Sequence, residues 1–171
     1  NYEPFLMGDK SPRTGHVDNN LFGIVPFEIY RQTKEKKYLP IAKLLANDEW
    51  ENPRPDGLTK YTRFTADDPY MVGSLQAQAY KATGDIDYAD RGAKFILAYA
   101  EKLQRPDGLF IYDENRPIAW GRGNGWCIGG MTEMLLAFPE DHAQRETLME
   151  VYRKQINGLI KHQDETGMWH Q

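Results

Sequence analysis

Asp67 and Asp68 stand side by side ahead of a proline, and a further carboxylate, Asp18, lies 50 residues before Asp68. Burial and a like-charged neighbour both hold a carboxyl group protonated towards neutral pH, the state a general acid needs. Trp120-Gly-Arg-Gly-Asn-Gly-Trp126 gathers two indoles, a guanidinium and a carboxamide within seven residues. Those groups stack, bind anions and form hydrogen bonds, and the glycines between them permit positive φ or close approach of a ligand to the backbone. The plainer reading is a glycine-rich helix start whose tryptophans fill the core.

Other chemistries find less support. The chain has one cysteine, Cys127, so an internal disulfide is excluded, and its apolar surroundings read as a buried small side chain rather than a nucleophile. No Cys/His cluster has zinc spacing, and neither a metal nor a cofactor is expected. Of the 171 residues, 40% are apolar and 27% charged, the balance of an ordinary globular domain. The net charge of −4 comes without runs of like charge, which argues against a nucleic-acid surface while leaving room for one arginine to bind an anionic substrate. Apolar stretches fall short of the roughly 18 residues a membrane span requires, so no membrane partner is expected. No basic leader region is visible, and the compartment is left open between cytoplasm and periplasm.

These groups need elements to hold them. The opening segment from Asn1 to Val17, rich in proline and glycine, reads as loop. Apolar periodicity predicts helices from Asn19 or Asn20 through Tyr30, from Lys37 through Leu45, from Asp68 or Pro69 to Thr83, from Tyr88 to Leu103, from Asn124 to Phe138 and from Arg145 to His162. Leu109 to Tyr112 is the one stretch with strand character. The helices repeat: Arg54-Pro-Asp-Gly-Leu58 recurs as Arg105-Pro-Asp-Gly-Leu109 at an offset of 51, and Tyr30, Thr33 and Tyr38 recur as Tyr80, Thr83 and Tyr88 at an offset of 50. Asp164-Glu-Thr-Gly-Met168 is a weaker third copy. The unit is a helical hairpin followed by a long loop, and hairpins with one apolar face must stack, either in an open solenoid or in a closed (α/α) toroid. Asp18, Asp68 and Asn124 then head equivalent inner helices. N-capping alone explains one such residue but not the doubled carboxylate or the Trp-Arg-Trp cluster.

Thr65-Ala-Asp-Asp-Pro-Tyr-Met71, Trp120 to Trp126, Gly167-Met-Trp-His-Gln171 and the earlier pair Asp18-Asn19 together resemble, in order, the motifs of the unsaturated uronyl hydrolases, the unsaturated rhamnogalacturonyl and glucuronyl hydrolases. The resemblance implies an all-α, closed (α/α)6 toroid. Residues 1–171 would form part of that single catalytic barrel and contribute about three of its six hairpins, as expected of a fragment of a longer protein. A half ring exposes apolar flanks and is expected to self-associate.

The resemblance further implies hydration of a Δ4,5-unsaturated uronic acid, galacturonyl or glucuronyl, at the non-reducing end of lyase-generated oligosaccharides, as in pectin breakdown. The family pattern makes Asp67 the acid, whereas the internal repeat aligns Asp68 with Asp18; the choice stays open at this point. Asp18 is the expected second carboxylate. Asp68, Trp120, Arg122, Asn124, Trp126, Trp169 and His170 are the expected substrate contacts, with Arg122 on the uronate and Asn124 on its hydroxyls. The family places a histidine after Gly-Leu-Phe, whereas here Gly108-Leu109-Phe110 runs into Ile111-Tyr112-Asp113, so Tyr112 or Asp113 would substitute. His16 and His170 are the remaining imidazole candidates, and His142 and His162 read as surface residues. Two other readings compete: an (α/α) barrel glycosidase or epimerase acting on saturated sugars, and a helical-repeat protein that binds saccharides or protein partners.

Overall fold

The computed structural model describes residues 3–7 and 9–170; Asn1, Tyr2 and Gly8 of the expected opening loop, and Gln171 of the last motif, lie outside it. The described residues form α1 (Glu3–Leu6), α2 (Val17–Asn20), α3 (Ile24–Thr33), α4 (Leu39–Asp48), α5 (Asp68–Thr83), α6 (Ile86–Leu103), α7 (Gly121–Ala137) and α8 (Arg145–His162), with no strand among them. Three hairpins result, α3/α4, α5/α6 and α7/α8. Helix α5 packs between α3 and α7, so these three make the inner layer, with α4, α6 and α8 behind them.

The repeat in the sequence is a repeat of hydrogen bonds. At the tips of the first two hairpins, Lys34 N donates to Tyr30 O and Gly84 N to Tyr80 O, each at 2.8 Å, with Lys34 and Gly84 both left-handed. Thr33 and Thr83 hydroxyls close both tips in the same way. In the long loops, Arg54 N bonds to Leu58 O, Arg105 N to Leu109 O and Asp164 N to Met168 O, at 2.8–3.0 Å. Gly57, Gly108 and Gly167 occupy the positive-φ position of these turns, which is why glycine recurs when its neighbours vary.

Several boundaries differ from expectation. Part of the opening loop is the short helix α1. The first long helix is broken into α2, a 3-10 turn at Leu21–Gly23 and α3, because Pro26 has no N–H to give to Phe22 O. The stretch from Leu109 to Tyr112 forms only isolated bridge pairs, Gln104 with Phe110 and Ile111 with Ala119. Helix α7 starts at Gly121, three residues before the expected Asn124, so the glycine-rich stretch is helical and not a ligand loop.

The core lies between the layers. Val72, Phe95, Ile96, Tyr99, Leu103, Phe110, Met131, Met134 and Leu148 join α5 to α8, and Phe27, Ala42, Ala46, Leu75, Ala79 and Tyr88 join α3, α4 and α5. Helices α5 and α7 approach so closely that a Cβ on Gly130 would sit 2.1 Å from the Pro69 carbonyl oxygen. That contact sets the two helix starts bearing Asp67-Asp68 and the Trp120–Trp126 stretch beside each other. At the outer edges of the stack, Val25 and Leu44 on one side and Leu136 and Ile160 on the other are exposed.

Candidate active site

Asp68, the first residue of α5, is wholly buried and surrounded by donors. Its carboxylate receives Arg63 Nε at 3.1 Å, a second guanidinium N–H, Thr65 Oγ1 at 3.2 Å and Tyr99 Oη at 2.5 Å. Tyr99 Oη also accepts the Phe64 and Arg63 backbone N–H groups, at 2.9 and 3.2 Å, so the loop before α5 is pinned to α6. Burial, and then the Asp68 charge, push the Tyr99 hydroxyl far up, leaving it a permanent donor.

Asp67 has a different environment. It is half-buried, and one carboxyl oxygen is enclosed without a hydrogen-bond partner among the described residues. Burial foremost, then the charges of Asp68 and Asp18, raise its pKa against the pull of Arg122 and Arg63. The two neighbours differ: Asp68 is surrounded by donors, whereas burial raises the pKa of Asp67.

Asp18, the second residue of α2, is 57% exposed and lies 3.9 Å from Arg63 Nη2 and 3.4 Å from His16 Nδ1. Arg63 Nη1 contacts His16 Nε2 at 2.9 Å. His16 Nδ1 accepts the Asp18 backbone N–H at 3.2 Å and so caps the start of α2. Arg63 therefore joins all of the first two helix starts: Asp68 behind, Asp18 and His16 in front.

On the third helix start, the Arg122 guanidinium stacks 4.0 Å from the Trp120 ring centre and is exposed, with no ion-pair partner among the described residues. Trp120 meets Tyr112 edge-on, and Trp126 packs against Tyr70 at 4.8 Å. Asn124 points the other way. Its carboxamide clamps the Phe110 backbone, accepting from N at 2.8 Å and donating to O at 2.9 Å, and it receives Gln155 Nε2 at 3.2 Å. With both polar atoms engaged and only 3% exposure, Asn124 holds its helix start to the Phe110 backbone, and it also lines the cavity that opens beside this cluster. Asp68 likewise has its carboxylate taken up by protein donors. None of Asp18, Asp68 and Asn124 is an N-cap; they stand second, first and fourth in their helices.

A cavity of about 620 Å³ opens beside this cluster, walled by Trp120, Leu109, Ile128, His162, Trp169 and His170. Asp67, Asp18, Arg122 and Trp126 are not among its walls, and Trp120 stands at the junction of the two regions. Trp169 Nε1 donates to Leu159 O at 2.8 Å and His170 Nε2 lies 2.5 Å from Asp164. Of the two substitutes for the absent histidine, Asp113 is bonded to Arg116 at 2.6 Å and Tyr112 is the one that reaches the site, through Trp120. Cys127 is buried, donates to Ala66 O at 3.3 Å and has its thiol pKa raised well above normal by burial, which removes it as a nucleophile. His142, read as a surface residue, has a 4% exposed ring stacked on Phe138 and 3.1 Å from Asp90.

A family model described as Glycosyl Hydrolase Family 88 matches residues 4–171. The chain belongs to glycosyl hydrolase family 88. It is 33% identical over 114 residues to the unsaturated 3S-rhamnoglycuronyl hydrolase of Alteromonas sp. (strain LOR), covering 61% of this chain and 28% of that protein. It is 27% identical over 113 residues to an unsaturated rhamnogalacturonyl hydrolase of Bacillus subtilis (strain 168), covering 61% of this chain and 33% of that protein. Among solved structures, a family 105 glycoside hydrolase of C. acetobutylicum superposes with a TM-score of 0.78 at 19% identity, over 91% of this chain and 49% of that one. A family 88 glycosyl hydrolase of Bacteroides vulgatus gives 0.78 at 16% identity, over 90% and 46%. This family 88 chain therefore has the hairpins of an (α/α)6 toroid and spans about half the length of those solved structures, and less of the two hydrolases.

Arg63 and Tyr99 were not among the expected site residues. Tyr99 sits at a regular apolar position of α6, so only its hydroxyl sets it apart, and Arg63 lies in a loop with no motif. An arginine five residues ahead of a buried carboxylate was the available signal.

Proposed function

We propose that this family 88 chain carries the acid-bearing part of an enzyme that hydrates the Δ4,5 double bond of a terminal uronic acid and so releases it from an oligosaccharide. The observation that supports this reading best is the environment of Asp67: a carboxyl group raised in pKa by burial, with one enclosed oxygen unpartnered, beside an arginine free to hold a carboxylate.

In this mechanism Arg122 binds the uronate carboxylate and Trp120 and Trp126 flank the ring. Protonated Asp67 gives its proton to C4 of the enol ether. Positive charge then develops at C5, stabilised by the ring oxygen, and water adds there. The water's proton passes to the Asp67 carboxylate or to Asp18, whose position is set by His16 and Arg63. The resulting hemiketal at C5 opens, and the bond from C1 to the remaining saccharide breaks as the sugar rearranges to its keto form. No covalent sugar–enzyme bond forms, so the carboxyl separations that distinguish retaining from inverting glycosidases do not apply.

The conjugated enoate absorbs in the ultraviolet, and its loss on incubation with an unsaturated rhamnogalacturonan or glucuronan disaccharide tests the proposal. The protein as it occurs in its source should bleach that band, and Asp67→Asn should lower the rate about 10²–10⁴-fold, the usual contribution of a general acid. Bleaching that survives Asp67→Asn undiminished would refute the assignment. Release of saturated sugars with the band untouched would replace it by an ordinary glycosidase.

A further inference from the structure

Glu49, the residue after α4, is fully buried, and among the described residues neither of its carboxyl oxygens has a hydrogen-bond partner. Nor does any cation among those residues pair with it. Lys60 is held by Asp48 at 3.2 Å and by Glu51 at 3.4 Å, Arg63 by Asp68, and Arg91 by Asn47 at 2.9 Å. What borders Glu49 is the Asn20 amide from α2, the Gln76 amide from α5 and two further carboxylates, Asp48 of α4 and Asp68 of α5.

Those amides are themselves incomplete. Asn20 Nδ2 is committed to Asp48 Oδ2 at 3.0 Å and Gln76 Nε2 to Ala46 O at 3.0 Å, while Asn20 Oδ1 and Gln76 Oε1 are buried and unpartnered. Four enclosed oxygens from three elements therefore lack a partner among the described residues, and the donors that border Glu49, the Asn20 and Gln76 amides, are committed elsewhere. A carboxylate there would be an unpaired buried charge beside two like charges, among the costliest arrangements in a protein. A proton on the carboxyl group removes the charge and supplies a donor in one step. Burial, as the leading cause, pushes Glu49 well above its ordinary range in agreement with this geometry.

We propose that Glu49 is a positioning residue that works as a neutral carboxylic acid, its hydroxyl donating to the enclosed amide oxygen of Asn20 or Gln76. The consequence reaches the active site through Asn20. Its amide holds Asp48, and Asp48 in turn accepts Gly15 N at 3.4 Å, Lys60 Nζ at 3.2 Å and Tyr61 Oη at 2.9 Å. Gly15 leads into His16 and Asp18, and Lys60 and Tyr61 lead into Arg63. The proton on Glu49 thus sets the two segments that meet at Asp68. Its relevance to catalysis rests on the hydrolase reading; its chemistry rests on the buried oxygens alone.

Three readouts on the substrate-free protein test this. An infrared difference spectrum between wild type and Glu49→Gln at neutral pH should show a protonated carboxyl stretch that the variant lacks and that Asp67→Asn retains. A glutamate whose pKa is raised in the fold loses stability as pH climbs from its unfolded value, near 4.5, to its folded value. Glu49→Gln should therefore match wild type in acid and exceed its thermal midpoint by a margin that grows as pH rises, while Glu49→Ala falls about 2–4 °C or more below wild type. The Asp67 carboxyl carbon, followed by nuclear magnetic resonance, should titrate as in wild type in Glu49→Gln and be displaced in Glu49→Ala.

Absence of the protonated band at neutral pH overturns the proposal, as does a wild-type midpoint that rises with sodium, potassium or calcium while that of Glu49→Gln does not, which would identify an ion site instead. An Asp67 titration identical in all three forms removes the positioning role. Failure of wild type to bleach the enoate, with the band and the titration behaving as stated, counts against the hydrolase reading alone.

Discussion

Replacing Arg63 by methionine keeps an unbranched stem and deletes the guanidinium that binds Asp68. Removing one partner of a buried ion pair costs about 3–5 kcal/mol, because the other charge is stranded. Here the guanidinium side chain is 37% exposed, so water already screens part of the pair. Two neutral donors, Thr65 and Tyr99, also remain on Asp68. The expected loss is accordingly lower, about 2–3 kcal/mol. Urea unfolding with a slope of about 2 kcal/mol/M should show the midpoint falling by roughly 1–1.5 M with the slope unchanged. Adding Asp68→Asn removes the stranded charge, and the double variant should be more stable at neutral pH than Arg63→Met alone. A loss below about 0.5 kcal/mol, or a double variant less stable than either single one, would show that this pair does not anchor the helix starts.

Asp67→Asn should be the opposite case. The raised pKa of Asp67 means its ionisation costs stability as pH rises above about 3.8, so the variant should melt above wild type at neutral pH and converge with it in acid, as read by calorimetry across that range. Asn124→Ala deletes the clamp on the Phe110 backbone and should cost about 2–3 kcal/mol in urea unfolding, with the Trp120 fluorescence altered as its helix start loosens. The exposed Leu136 and Ile160 should make the chain self-associate, and Leu136→Glu with Ile160→Lys should shift its light-scattering mass towards the monomer.

The hairpins were legible because each copy must form the same hydrogen bonds. Thr33 and Thr83, and Gly57, Gly108 and Gly167, recur for reasons of backbone geometry that any stacked hairpin imposes. The break before α3 and the early start of α7 were less so, since they depend on Pro26 and on the fit of glycines against α5, which periodicity does not reveal. At the site, the residue types at Asp67, Asp68 and Arg122 suggest a chemistry, but not which partner each side chain takes. Aligning Asp18, Asp68 and Asn124 as equivalents hid their different fates: one exposed, one bound to Arg63, one folded back onto Phe110. Long-range partners such as Tyr99, 31 residues from Asp68, leave no trace in local spacing. Glu49 was invisible because a buried acid and a surface acid look alike in a helix tail.

Proton delivery from Asp67 to C4 with addition of water at C5 is tested most directly by isotopic labelling. Turnover of an unsaturated disaccharide in deuterated, ¹⁸O-enriched water, read by magnetic resonance and mass spectrometry, should place one deuteron at C4 and the heavy oxygen at C5 of the released uronate, and Asp67→Asn should abolish both. Heavy oxygen at C1 with C4 unlabelled would exclude hydration of the double bond and establish ordinary displacement at the glycosidic carbon.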